Sequence, residues 1–265
     1  ASSGLDIGEA TQGLELKLTA AGRSNSESPE ARKLWAYGEH GTTFEGVDWQ
    51  TSGWDGEALV LKNGAKAVID FKPFMQDVKR GGMSVEIDME VNNVSDRSSV
   101  VVDCMENDAK GFRITADSAM LYSGSTKDQE DEENRDPETG LPIVTKTPVG
   151  VKQNYAESKR VRFVFNVGKR ADGSLMELYM NGDRVSAMCY QDDDNFKQDA
   201  PQGISISSDG ADVRVYKVFA YSRPLTDDEV VDNHTVGSDN AEEMAERYAY
   251  NDVLNPETGE IDMDK

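Results

Sequence analysis

The sequence predicts an all-β protein, an antiparallel β-sandwich closed by a short C-terminal helical segment. Three observations carry that prediction. Apolar and polar residues alternate with period two through about eleven short stretches; turn residues separate these stretches; and no helical periodicity interrupts them before about residue 221. Strands without intervening helices argue against parallel βαβ units and for antiparallel pairing.

In chain order the expected strands are 58–61, 67–71, 84–91, 99–105, 111–117 and 119–123, then 160–167, 175–180, 184–190, 203–207 and 213–222. Between 175–180 and 184–190, Asn181-Gly182 is a hairpin signal, because both central positions of a type I′ turn need φ > 0. Residues 126–142, TKDQEDEENRDPETGLP, read as a long acidic surface loop whose acids match no calcium-loop spacing. Helix is expected only at the end. Thr226 and Glu229 form a capping box after Pro224-Leu225, and Asp239 with Glu242 repeats the device before AEEMAERYAY. The division that follows is a flexible leader at 1–13, a sandwich domain at 14–235, and a C-terminal helix and linker at 236–265 toward a further region.

Composition narrows the function. With 28 Lys+Arg against 50 Asp+Glu the formal charge is −22. Such a surface repels phosphate backbones and anionic lipid, so neither a nucleic-acid nor a membrane-surface role is expected, and no apolar run approaches the ~18 residues that membrane insertion needs. Cys104 and Cys189 have no metal or redox spacing and sit in apolar runs, so both read as buried reduced thiols. No nucleophile elbow, zinc-binding helix motif, phosphate loop or dinucleotide fingerprint is present.

One catalytic candidate remains, the stretch VEIDMEV at 85–91. Its E-I-D-M-E resembles the catalytic strand of laminarinase/lichenase-type glycoside hydrolases, which would make Glu86, Asp88 and Glu90 the acting carboxylates. Alternate residues on a strand face stand ~6.6–7 Å apart, and a retaining glycosidase needs its carboxyls ~5–5.5 Å apart, so spacing does not exclude catalysis. The surroundings weigh against it. No aromatic residue lies between Met75 and Lys110 to stack on a sugar, and Val85, Ile87, Met89 and Val91 form an unbroken core face with the acids as its solvent face. Likewise Arg160 and Arg162 read as the outer face of a strand.

A wider resemblance runs from about residue 14 to residue 261. Its carriers include LKLTAAGRSNSE (16–27), LYMNGDRV (178–185), RVYKVFAYSRPLTDDEV (214–230) and ERYAYNDVLN (246–255). In order and spacing these resemble the laminin-G-like (concanavalin-A-like) jelly-roll domain found in structural proteins of tailed bacteriophages. The resemblance implies a non-catalytic domain of a virion protein, tail or tail-fibre associated, acting in assembly or host-surface glycan recognition. Its implied partners are other virion proteins, a host-surface glycan and further copies in a homo-oligomer within the particle. No cofactor is implied. Relatives in the wider superfamily sometimes hold a structural calcium, for which this sequence has no motif.

A glycan site needs an aromatic face and polar groups for the sugar hydroxyls. The candidates are Trp49 and Trp54 in VDWQTSGWDG, Tyr122 at the end of a strand, and Tyr190 with Asp192, Asp193 and Asp194 in CYQDDDNF. Core packing is the competing reading for the tryptophans, and a solvated loop for the aspartates. Two other functions stay open: a hydrolase using Glu86 and Glu90, and a structural spacer or bacterial surface adhesion module.

Overall fold

The computed structural model describes residues 8–71, 82–106, 110–170, 173–190 and 203–237. Fifteen strands among them form two antiparallel sheets. The first sheet holds β1 (Leu14–Thr19), β3 (Gly53–Trp54), β4 (Leu59–Leu61), β6 (Gly82–Asn92), β11 (Val161–Arg170), β12 (Gly173–Met180), β13 (Asp183–Tyr190) and β15 (Asp212–Tyr221). Its order is β13-β12-β11-β6-β15-β4-β3, with β1 pairing the C-terminal half of β15. The second holds β2 (Thr42–Glu45), β5 (Lys66–Ile69), β7 (Val100–Glu106), β8 (Lys110–Thr115), β9 (Ser118–Arg135), β10 (Pro142–Asn154) and β14 (Ile204–Ser207), in the order β10-β9-β8-β7-β14-β5-β2. The fold is a β-sandwich.

The period-two pattern fills the space between the sheets. Val85, Ile87, Met89 and Val91 of β6 are all fully buried there, beside Phe163 and Phe165 of β11. Phe165 stacks on Phe112 of the opposite sheet with centroids 4.6 Å apart, the interdigitation that makes one core from two inner faces. The expected hairpin turn joins β12 to β13, with φ of 52° at Asn181 and 87° at Gly182.

Four strands escape the sequence pattern: β1, β2, β3 and β10. The most consequential is β10, because residues 126–142 are not a loop. They form the outer part of a β9–β10 hairpin, closed by a turn in which Gly140 N–H donates to Asp136 O at 2.8 Å and Asp136 Oδ1 accepts from Glu138 N–H at 2.8 Å. Period-two contrast is missing there because both faces of the hairpin meet water: residues 126–135 are exposed throughout. Cys104 is buried as expected, but Cys189 is exposed, lying on the outer face of the edge strand β13. Neither is in a disulfide.

The capping box forms as read. Glu229 N–H donates to Thr226 Oγ1 at 3.2 Å, Thr226 N–H donates to Glu229 Oε1 at 3.1 Å, and helix α1 (Asp227–Gly237) follows. The second expected helix, after Asp239, lies outside the described residues. Residues 8–13, expected within a flexible leader, are bonded to the end of the domain. Ala10 N–H donates to Asn233 Oδ1 at 2.8 Å, and Arg223 Nε donates to Gln12 O at 2.8 Å. Among the described residues no helix is long and apolar enough to cross a membrane.

Candidate functional site

The outer face of the first sheet divides into a sealed part and an open part, and the acids of β6 run across both. Glu86 and Asp88 were expected in water, yet each is only 1% exposed. The cause is α1, which returns over this face and buries a second apolar cluster of Val164, Tyr179, Phe219, Tyr221, Leu225 and Val230. A period-two strand pattern reports which face meets the main core but carries no information about what later covers the other face.

Asp88 is neutralised where it lies. Arg160 grips it through both oxygens at 2.8 Å each, and Arg162 adds a third contact at 2.6 Å. The same guanidinium groups reach the C-terminal carbonyls of α1. Arg162 donates to Asn233 O at 2.8 Å and Arg160 to Gly237 O at 3.1 Å, where the helix dipole favours positive charge. Two arginines expected merely to face solvent thus tie β6, β11 and α1 together. Glu86 has no such clamp. Its Oε1 is buried without a hydrogen-bond partner. Burial pushes its carboxyl up to about 7, with Arg162 opposing the rise and Asp88 adding to it. Sealed in this way, Glu86 cannot face a substrate shared with Glu90.

Glu90, two positions further on, belongs to the open part. It accepts from Asn92 Nδ2 at 2.9 Å and stands 3.8 Å from Arg214 Nε. Arg214 is the hub of a cleft of about 520 Å³ at this end of the sheet, whose lining includes Thr51, Asp55, Lys62, Asn93 and Asp212. Its guanidinium also pairs with Asp55 at 2.5 Å and Glu57 at 3.7 Å, and donates to Tyr216 Oη at 3.2 Å. Partial burial pushes the Asp55 carboxyl up, but the N–H groups of Ala58 and Glu57 and the charge of Arg214 outweigh it and hold the group below the usual aspartate value. Asp55 is therefore a fixed anion at neutral pH.

The loop that forms one wall is built tightly. Asn25 clamps it at both ends of a short turn, donating to Ser52 O at 2.6 Å and accepting from Trp54 N–H at 2.8 Å. Gly53 adopts φ +89°, and a Cβ there would sit 2.5 Å from the Trp49 ring, so no other residue fits. Asn93 and Ser158, on the opposite wall, hold left-handed φ of 51° and 61°, uncommon for residues with a Cβ. Asn93 Nδ2 donates to Asp212 Oδ2 at 2.8 Å. The result is a rim that carries both donors and acceptors, a mixture suited to a ligand rich in hydroxyl groups.

The expected contact residues are only partly gathered here. Trp54 lines the cleft, but its ring is buried, held by Nε1 donating to Arg32 O at 2.7 Å and packed edge-on to Trp35 and Phe44. Trp49 is half-buried behind the same loop, edge-on to Phe44 at 5.5 Å. Tyr122 lies on β9 in the other sheet, half-buried, with its hydroxyl 3.0 Å from Met120 Sδ. Tyr190 ends β13, and Asp192, Asp193 and Asp194 lie outside the described residues. Sequence reading missed Arg214, Asn93, Ser158 and Asp212, which sit on three separate segments: β15, the residue after β6, and the turn before β11. The only local signal was Asn92-Asn93 directly after a strand.

No family model matches the sequence, and no curated protein matches it. Solved structures do. The chain is similar to the binding domain of botulinum neurotoxin DC in complex with SialylT, at 10% identity and a TM-score of 0.55, over 86% of this chain and 52% of that one. It is similar also to botulinum neurotoxin type C, whose cell entry depends on interaction with two ganglioside molecules (12% identity, TM-score 0.54, 85% and 52% covered). A third match is the botulinum neurotoxin serotype D binding domain (13% identity, TM-score 0.52, 84% and 51% covered). What they share is the fold. The chain spans about half the length of these proteins.

Proposed function

We propose that this chain is a non-catalytic glycan-recognition domain that binds sugar at the rim cleft around Arg214. The observation that carries the reading is the cleft itself, where a loop locked by Asn25 and two left-handed residues present amide, carboxylate and cationic groups in fixed positions. Fixed polar groups lose little entropy on binding, which is what weak, hydroxyl-directed recognition requires. Two neighbours in fold are described with SialylT or gangliosides, which supports the ligand class.

The finer reading places the domain in a tail or tail-fibre protein of a phage virion, displayed in several copies toward a host surface. It rests on the laminin-G-like motif order at 16–27, 178–185, 214–230 and 246–255. Display in multiple copies would make weak single-site affinity sufficient. The test is an array of sialylated and neutral glycans probed with the protein and with Arg214→Ala. Binding lost in the variant supports the reading. No binding by the wild-type chain contradicts it.

A further inference from the structure

The outer half of the β9–β10 hairpin does nothing for the core. β8 pairs β9 only from Ala119 to Ser123, so among the described residues the one strand partner of β9 beyond Ser123 is β10. The two strands leave the sheet at an irregularity between Pro148 and Gly150. Gly150 permits the departure, since a Cβ there would lie 2.1 Å from Leu121 O. From that point a two-stranded ribbon runs out to the Asp136–Gly140 turn with both faces in water. Isolated two-stranded ribbons of this kind are marginal in water.

On its outer side β10 has no strand partner among the described residues. Between Pro142 and Pro148, which cannot donate, Ile143–Thr147 offer backbone N–H and C=O groups along a free edge. Leu141, Ile143 and Val144 are exposed apolar side chains beside it, at 64%, 38% and 52%. Residues 126–147 also carry seven acids against Lys127, Arg135 and Lys146. Lys146 is already paired across the ribbon with Asp128 at 3.4 Å.

We infer that this ribbon docks an extended, lysine- or arginine-bearing segment of another protein, added as a further strand to the free edge of β10. Main-chain pairing would give affinity and the acids of β9 selectivity, the mode known as β-augmentation. Charge decides the occupant. A second copy of this chain, at −22, meets like charge at the ribbon and is rejected. A metal ion is not favoured, because no group of three or more acids, histidines or cysteines among the described residues is arranged to hold one. The inference is independent of the cleft.

The test uses the intact protein and two capped peptides of equal charge, Lys-Val-Lys-Val-Lys-Val-Lys and the same peptide with proline for valine. The expected result has three parts. The valine peptide slows amide exchange at Ile143–Thr147, it binds at least about tenfold more tightly than the proline peptide, and Asp128→Asn/Glu130→Gln/Glu132→Gln weakens it about tenfold. These substitutions lie at exposed positions outside the core, and the variant's unchanged circular dichroism serves as the folding control. Equal binding of both peptides, protection elsewhere, or no binding overturns the inference. So does protein-concentration-dependent protection of Ile143–Thr147 without peptide, which would make the occupant a second copy.

Discussion

Glu86 and Glu90 stand four residues apart on one face of one strand, yet they live in different media. Glu86 lies under α1, 1% exposed, with an oxygen that bonds to nothing. Glu90 lies at the edge of an open cleft beside Arg214 and Asn92. The strand treats them alike, and the difference comes from where the chain returns after β15: α1 crosses the sheet over Glu86 and Asp88 and leaves the Glu90 end bare. The sealed acids act within the fold, whereas Glu90 stays in contact with solvent beside Arg214.

Asp88→Ala should be the most disruptive substitution on this face. Removing the carboxylate leaves the buried Arg162 and the half-buried Arg160 without their shared counter-charge, which should cost roughly 3–5 kcal/mol in urea unfolding. A loss under about 1 kcal/mol would mean that the sealed part is wetter than its geometry indicates.

Glu86 is next. Its carboxyl holds a proton in the folded chain up to about pH 7, against an ordinary value of 4.5. The folded state therefore binds more protons than the unfolded state between those values. The stabilisation from the protonated form is fully present below about 4.5 and is lost as pH rises toward 7. Glu86→Gln should remove that slope, leaving the variant more stable than wild type at pH 8 by roughly 3 kcal/mol and nearly equal at pH 4. Denaturation midpoints at both values check it; a difference independent of pH would place Glu86 in water.

Thr226→Ala tests the lid that creates the contrast. Loss of the capping bond at 3.2 Å should cost about 1 kcal/mol, and amide exchange should rise over α1 before it rises in β6. The smallest effect belongs to Glu90→Gln, expected within about 0.5 kcal/mol of wild type while changing ligand affinity at the cleft.

How legible this was in the sequence follows the same line. The inner faces were readable, since Val85, Ile87, Met89 and Val91 pack where their alternation put them. Local devices were readable too, such as the Asn181-Gly182 turn and the Thr226–Glu229 box, because turn and cap chemistry is confined to a few adjacent residues. Burial of Glu86 and Asp88 was not, because it depends on α1, more than a hundred residues away in the chain. The β9–β10 ribbon hid for a different reason: a strand wet on both faces has no period to detect. The cleft combined both problems, as Asn25, Asp55, Asn93 and Arg214 meet only through the sheet order.

We propose that the open end of this sheet face, and not the sealed part or the ribbon, receives a glycan. The most direct measurement is an amide chemical-shift titration of the isotopically labelled protein with the best glycan from the array. Shifts confined to Thr51, Asp55, Asn93, Asp212 and Arg214, absent in Arg214→Ala, are the predicted result. Shifts centred on β9, β10 or β13, with the Arg214 cleft silent, would contradict it.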